Sequence, residues 1–314
     1  MKVFHSINQF KSKSKTVVTL GTFDGVHVGH KKIIERLLFN AKELNCESLV
    51  LTFFPHPRMV LQKDADVKLL NSIEEKANLL SKTGLDNLVI HPFDQAFSRL
   101  TAEEFVKNIL VDCFNIAKII IGHDHRFGRN RTANIDDLIA FSKIYGFEVE
   151  QISAQEINDV AVSSTKIRNA ILDGNIELAN NYLNYNYSFK GKIVKGKQLG
   201  RTIGFPTVNF EIDDSYKLIP KNGVYVVESL INHNRIFGMM NIGFNPTVGE
   251  NAQTIEVYYF DFNGDLYGQQ ITVSILHRLR SEQKFDSLEA LKIQLKSDQI
   301  ASLDFIKNKI INSN

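Results

Sequence analysis

Apolar positions in the first half of the chain follow two rhythms. Short continuous runs, the first at Val17–Leu20, give way to stretches where apolar residues recur every third or fourth position, as at Ile33, Ile34, Leu37, Leu38 and Ala41. The runs have the length of strands, and the longer stretches have the spacing of one buried helix face. Ser48–Phe54, Asn87–Ile90, Lys118–Ile121 and Phe147–Ile152 continue the strand series. Between them, Ser72 with Glu75 and Thr101 with Glu104 stand at capping-box spacing, predicting helices over Ser72–Leu80 and from Thr101 to about Phe114. Five strands separated by helices of this length predict right-handed crossovers and a parallel sheet with helices on both faces, an α/β layer. Ligands of such sheets sit at the carboxyl ends of the strands.

After about Asn184 strand follows strand: Phe189–Val194, Thr207–Ile212, Val224–Leu230, Ile236–Ile242, Thr254–Phe262 and Gln270–Leu276. Eight of the 18 glycines lie in residues 1–184 and ten between Gly191 and Gly268, so tight turns between antiparallel strands concentrate in the second part. A small antiparallel β-barrel fits this pattern, with a helix from about Ser287 to Ile306 packed across it. Two domains are therefore expected, 1–184 and 185–314, joined by a short linker near Tyr182–Ser188. A length of 314 residues suits two domains. The 37 basic and 35 acidic residues leave a net charge of +2, which offers no electrostatic case for binding nucleic acid. Cys46 and Cys113 cannot form a disulfide framework, which fits a reducing compartment. No apolar run reaches membrane-spanning length, and the basic start lacks the apolar stretch of a secretory signal. The expectation is a cytoplasmic protein that engages no membrane and has no obligatory protein partner.

Candidate chemistry collects at the strand ends. Gly21-Thr-Phe23-Asp24-Gly-Val-His27-Val-Gly29-His30 lies where the first predicted strand turns into the first predicted helix. Glycines at such a turn let a ligand approach the backbone, and a helix N-terminus attracts phosphate. His27 and His30, straddling Gly29, can both face a phosphate and donate hydrogen bonds to charge developing on a transferring nucleotidyl group. The bland alternative is a helix cap with two exposed histidines. Gly122-His-Asp124-His-Arg-Phe-Gly128 follows the fourth strand, and Ser163-Ser164-Thr165-Lys-Ile-Arg168 opens a helix after the fifth. The latter offers hydroxyls, helix amides and two cations, a set suited to triphosphate, although an ordinary capped helix would look the same.

The barrel half carries Gly200-Arg201-Thr-Ile-Gly204-Phe-Pro-Thr207-Val-Asn209. Thr207 and Asn209 share one strand face, where a hydroxyl and an amide oxygen can hold hydrated Mg²⁺ with nucleotide phosphates; an exposed polar strand face is the alternative. Glu256, in a strand rich in β-branched and aromatic residues, is a candidate base for an attacking hydroxyl, or else a solvated or paired carboxylate. Gly191-Lys-Ile-Val-Lys-Gly-Lys197 nearly matches a phosphate loop, but it ends in Gln198 and lies in a strand-like run, so it reads as a hairpin arm.

In their order along the chain, GTFDGVHVGH, FFPHPR (Phe53–Arg58), LLNSIEEKANLL (Leu69–Leu80), GHDHRFG and SSTKIR resemble the N-terminal module of the prokaryotic bifunctional riboflavin kinase/FMN adenylyltransferase, or FAD synthetase, family. The resemblance implies a Rossmann-like nucleotidyltransferase domain in which His27 and His30 contact ATP phosphates and Gly29 lies against adenine. It further implies that Gly21, Phe23 and Asp24 belong to the nucleotide loop and that Ser163, Ser164, Thr165 and Arg168 hold phosphates. Asp124 stands where relatives often have Asn, and RNRTAN (Arg129–Asn134) lacks the glycine usual after the basic pair. GRTIGFPTVNF, PKNGVY (Pro220–Tyr225), MMNIGFNPTVG (Met239–Gly249), IEVYYFDFNGDLYG (Ile255–Gly268) and RLRSEQKFDSLEAL (Arg278–Leu291) resemble riboflavin kinase. That resemblance implies a nucleotide loop at Gly200, Arg201 and Gly204, Mg²⁺ and phosphate at Thr207 and Asn209, and Glu256 as base for the riboflavin 5′-hydroxyl. Arg280 and Glu282 would lie near the flavin-binding loop. Pro-Thr-Val-Asn replaces the family's Pro-Thr-Ala-Asn, and Tyr258 replaces a frequent His. The expected reactions are riboflavin plus ATP to FMN plus ADP, then FMN plus ATP to FAD plus pyrophosphate, with Mg²⁺ as cofactor. One inactive module, or an RNA-binding protein built on a synthetase-like fold, are the alternatives.

Overall fold

Every residue of Thr16–Leu20 is buried, which is what a continuous apolar run requires of a strand covered on both faces. The computed structural model describes residues 1–62, 66–122, 126–153, 162–196, 199–244 and 253–311. By its internal contacts the chain forms two compact units, Met1–Ser164 and Thr165–Asn314.

The first unit is built on strands β1 (Lys2–Phe4), β2 (Thr16–Leu20), β3 (Glu47–Phe53), β4 (Asn87–His91), β5 (Ile116–Gly122) and β6 (Glu148–Ile152). All pair in parallel, in the order β1-β4-β3-β2-β5-β6. Alternation along the strands divides the core in two. Val18, Leu20, Leu49, Leu51, Ile119 and Ile121 meet Phe105, Val106, Ile109 and Leu110 on one face. Val17, Val50, Leu88, Ile90 and Ile120 meet residues of α1 (Val28–Glu43) and α2 (Ile73–Ser81) on the other. The chain runs outward from β2 to β3 and β4 on one side and then to β5 and β6 on the other. The strand order thus reverses between β2 and β5, the place where a doubly wound sheet opens a crevice for ligand.

Two details depart from the sequence reading. β1 is a sixth strand, three residues long and paired with β4, too short to show a period. The boxed helix after Thr101 keeps its capping box but widens at once, with Asp112 N bonded to Lys107 O (3.0 Å) and Phe114 N to Ile109 O (2.9 Å). These i→i+5 bonds are π-helical, and apolar spacing alone does not distinguish them from α-helix.

The second unit is a closed antiparallel barrel of β7 (Ser188–Val194), β8 (Val208–Glu211), β9 (Gly223–Ile231), β10 (Asn234–Phe244), β11 (Gln253–Tyr259) and β12 (Gln270–Arg280), ordered β10-β11-β8-β7-β12-β9. The near-match to a phosphate loop lies largely within β7, as strand. Helices α3 (Ser164–Asp173) and α4 (Ile176–Leu183) precede the barrel, and beyond Ser164 they group with it. Asn180 explains part of this: its Nδ2 donates to Ile275 O of β12 (2.9 Å) and its Oδ1 accepts from Tyr187 N (2.7 Å). Tyr187 is fully buried and donates its hydroxyl to Leu218 O, so the segment expected as a linker is packed into this unit.

Helix α5 (Leu288–Ile311) lies on the barrel, with Leu295, Phe305 and Ile306 packed with Phe205, Val226, Met239, Phe260 and Leu276. Its polar anchor is Asp298, buried at 4% exposure, which receives Arg280 Nε at 2.9 Å and Nη2 at 2.7 Å. Removing one member of such a pair strands the other charge. Asp298→Ala is expected to destabilise the barrel unit by about 3 kcal/mol, read as a lower denaturant midpoint of that unit; an unchanged midpoint would show the pair to be dispensable.

Candidate functional site

The loop after β2 carries the densest chemistry in the first unit. Gly25 turns it with φ +88°, a conformation glycine adopts without strain, but Phe23 (φ 45°) and Val26 (φ 38°) also lie in the left-handed region. Side chains hold the turn. Thr22 O accepts from Lys76 Nζ at 2.7 Å and from Thr52 Oγ1 at 3.2 Å. The buried Asp24 carboxylate accepts from Leu70 N at 2.8 Å, and Asp24 O accepts from Ser164 Oγ at 2.9 Å. The loop then enters α1, with His27 at its N-cap making no side-chain cap bond and Gly29 buried in the first turn.

His27 and His30 stack with ring centroids 3.7 Å apart, and Phe23 packs 5.1 Å from His30. Among the described residues, the Nδ1 atom of each histidine is buried without a hydrogen-bond partner. An unsatisfied buried polar atom is costly, and here two lie together at the N-cap and first turn of α1. Burial pushes the His27 imidazole down to about 4. His30 is held well below its ordinary value by burial, then by the charges of His27 and Lys76. Near pH 7 both rings are neutral, so each offers one N–H and the site makes no cost in stacked like charges.

In the barrel unit, Thr207 immediately precedes β8, and Asn209 stands opposite Glu256 in the β8–β11 register. Thr207 Oγ1 donates to Glu256 Oε2 at 3.1 Å. Along β11, Ile255, Val257 and Tyr259 are buried while Thr254, Glu256 and Tyr258 are half-buried, so Glu256 sits on the face opposite the buried residues. A cavity of about 700 Å³ is lined by Thr207, Val208, Val257, Tyr259, Lys195, Arg201 and the 262–267 loop. Thr207 therefore borders the cavity and also touches the carboxylate. Around it the chain curls tightly: Phe205 N bonds Gly200 O at 2.8 Å, and a side chain at Gly200 would collide with the Phe205 carbonyl. The oxygen donors of Thr207 and Asn209 beside one carboxylate are hard ligands of the kind a phosphate-bound divalent cation takes.

The structure thus brings Gly21, Phe23, Asp24, His27, Gly29, His30 and Ser164 into one loop cluster, with Ser163 exposed beside it. Thr165 and Arg168 follow on α3, in the second unit. Asp124 lies outside the described residues. Arg201 lines the barrel cavity, and Gly200 and Gly204 shape the adjoining turn. Arg280 and Glu282 do not line that cavity. Arg280 is engaged by Asp298, and Glu282 accepts from Asn222 Nδ2 (3.2 Å) and Phe244 N (3.3 Å). Sequence reasoning passed over Lys195 and Tyr267, which meet in the cavity with Lys195 Nζ 5.8 Å above the Tyr267 ring. A lysine at a strand end beside Gly196 was the available signal.

A stacked histidine pair at the N-cap and first turn of α1, at the switch point of a parallel sheet, and a hydroxyl–carboxylate pair beside a barrel cavity are groups that a two-domain transferase would use. Residues 9–166 match the FAD synthetase family and residues 183–306 the riboflavin kinase family. The chain is 38% identical over 285 residues to the bifunctional riboflavin kinase/FMN adenylyltransferase of Listeria monocytogenes, covering 90% of each chain. It is 34% identical over 302 residues to the enzyme of that name from Escherichia coli strain K12, covering 96% of each. This chain belongs to the bifunctional riboflavin kinase/FMN adenylyltransferase family. A solved structure described as a macrolide-efflux protein from Streptococcus pneumoniae superposes with a TM-score of 0.87 at 32% identity, covering 96% of this chain and 98% of that one. Among the described residues here, no helix is long and apolar enough to cross a membrane.

The buried histidines have a consequence for stability. His27 titrates at 6.5 in its ordinary state and at about 4 when folded, so between those values the unfolded chain takes up a proton that the folded chain refuses. This contribution is complete above pH 6.5 and is lost as pH falls towards 4, at up to about 1.4 kcal/mol per pH unit. Calorimetry of the ligand-free protein is expected to show Tm falling across that window, less steeply in His27→Gln. Equal slopes would contradict the assignment.

Proposed function

We propose that the chain makes two flavin cofactors in succession, phosphorylating riboflavin to FMN in the barrel module and adenylylating FMN to FAD in the parallel-sheet module. The functional division is taken at 1–184 and 185–314. What carries the reading is that the paired histidines and the Thr207–Glu256 pair lie in different compact units.

In the barrel, Glu256 accepts the proton of the riboflavin 5′-hydroxyl as its oxygen attacks the terminal phosphorus of ATP; the bond to the bridging oxygen breaks and ADP leaves. Thr207, bonded to Oε2, fixes the carboxylate and borders the cavity where the nucleotide is placed, between Lys195, Arg201 and Tyr267. Thr207 and Asn209 would hold Mg²⁺, which supplies neutralisation of phosphate charge when bound. Gly200 and Gly204 let the backbone approach the phosphates, and Arg280 and Glu282 order the rim near the flavin.

In the parallel-sheet module, an FMN phosphate oxygen attacks the α-phosphorus of ATP and pyrophosphate departs, so no covalent enzyme intermediate is needed. Neutral His27 and His30 each donate one ring N–H to the phosphate oxygens. Gly21, Phe23, Asp24 and Gly29 form the wall against the nucleotide, with Ser164 held against Asp24 O beside them; the family resemblance would add Ser163, Thr165, Arg168 and Asp124 to the phosphate and flavin contacts.

Incubating variants with Mg²⁺, ATP and either riboflavin or FMN, then separating the flavins by chromatography, tests the division of labour. Glu256→Ala is expected to lose FMN formation by at least about 100-fold while still converting supplied FMN to FAD. His27→Ala is expected to do the reverse, with a loss of about 100-fold or more in FAD formation. Loss of both activities in both variants would overturn the assignment, and an unreactive wild type would overturn the function itself.

A further inference from the structure

Helix α2, which borders the histidine loop, carries a lysine on a face that packs like an apolar one. Ile73, Ala77 and Leu80 of this helix join the core beneath the sheet, and Lys76 among them is 3% exposed. Lysine is almost never buried so completely unless it is paired. Lys76 makes no ion pair within the described residues; its ammonium donates to the Thr22 carbonyl at 2.7 Å. Burial pushes it down to about 8, with the Asp24 carboxylate pulling the other way. An apolar side chain of equal length would fill this space without burying a charge, so packing alone does not account for a lysine here.

What the ammonium grips does account for it. Thr22 opens the turn in which Phe23 and Val26 have positive φ, and backbone of this kind persists only where its surroundings over-determine it. Lys76 and Thr52 hold Thr22 O, Leu70 and Asn71 amides hold the Asp24 carboxylate, and Ser164 holds Asp24 O. The clamp is itself anchored, because the segment that supplies the two amides continues into the Ser72–Glu75 capping box at the start of α2. The turn leads directly to His27 at the cap of α1.

We propose that Lys76 is a positioning residue for adenylyl transfer, clamping the Thr22 carbonyl so that the strained turn holds the His27 and His30 rings where phosphate charge develops. The proposal rests on reading this loop as the adenylyl-transfer site. The groups facing Lys76 are Asp24 from the loop and His30 from α1, with His27 stacked on the latter. The lysine's charge also makes protonation of His30 harder, which keeps that ring a neutral donor.

The test measures FAD formation from FMN and ATP in the full-length chain, with FMN formation from riboflavin as an internal measure of intact protein. Lys76→Met, which keeps the length and removes the charge, is expected to lower kcat for FAD formation about 100-fold, as a misplaced catalytic group does, and to change the KM for ATP by less than about threefold. Lys76→Ala, which leaves room for the missing atoms, is expected to regain at least about tenfold of its lost kcat on addition of n-propylammonium, which has no such effect on wild type. Histidine side-chain NMR of the Met variant is expected to show an imidazole titrating at higher pH than in wild type. A Met variant with wild-type kcat would overturn the proposal. So would a loss that n-propylammonium does not relieve, accompanied by unmoved imidazole titrations, since that pattern belongs to a purely structural residue. If the Met variant loses FMN formation too, and so is not intact, amine rescue of the Ala variant decides alone. A wild type that forms no FAD would instead defeat the underlying reading of the site.

Discussion

A parallel sheet covered on both faces can place polar chemistry only where its strands end. In the first unit this constraint is nearly complete, because β2 and the centre of β3 are buried at every position and the alternating side chains feed two separate cores. The ends of β2 and β5, where strand order reverses, are then the natural place for a ligand. The turn after β2 exists because four neighbouring elements hold it in a conformation its own residues disfavour, and its reward is a pair of stacked, neutral histidines at a helix N-terminus.

The barrel reaches a similar end by other means. Its strands alternate between buried and half-buried faces, so a carboxylate can sit on β11 between two buried residues without entering the interior. Thr207 lies at the seam, lining the cavity on one side and bonded to Glu256 on the other. The group that would deliver a phosphoryl and the group that would receive a proton are thereby tied to one hydroxyl, which makes their relative placement a property of two adjacent strands.

Much of this was legible in the sequence because local signals agreed with one another. The apolar runs mark β2 to β5 because these strands are largely buried, while β6, at the sheet edge, buries only Ile152; Ser72–Glu75 and Thr101–Glu104 form the capping boxes their spacing predicts. The loop residues His27 and His30 gather as expected because they sit on consecutive turns of one helix N-terminus. Period carries no information about three-residue β1, nor about the hydrogen-bond span that makes Phe105–Val111 a π-helix. It is equally silent about bridges between distant segments. Lys76 reaching Thr22, Arg280 turning to Asp298, and Lys195 meeting Tyr267 all depend on which elements the fold brings together. The same holds for α3 and α4, whose amphipathic patterns show a buried face without showing which partner buries it.

Barrel closure has a consequence for how this chain meets other chains. Each barrel strand is bonded on both sides, so among the described residues that unit offers no open row of amides and carbonyls on which a foreign strand could be templated. The open sheet guards its two margins differently. β1 is too short to seed a growing ladder, and β6 carries Glu148 and Glu150, the second of them ion-paired with Lys118 and Arg36. Strand addition and amyloid-like stacking are disfavoured along all of these margins, and any macromolecule that recognises this protein through its sheets has side chains and loops to read, not bare backbone.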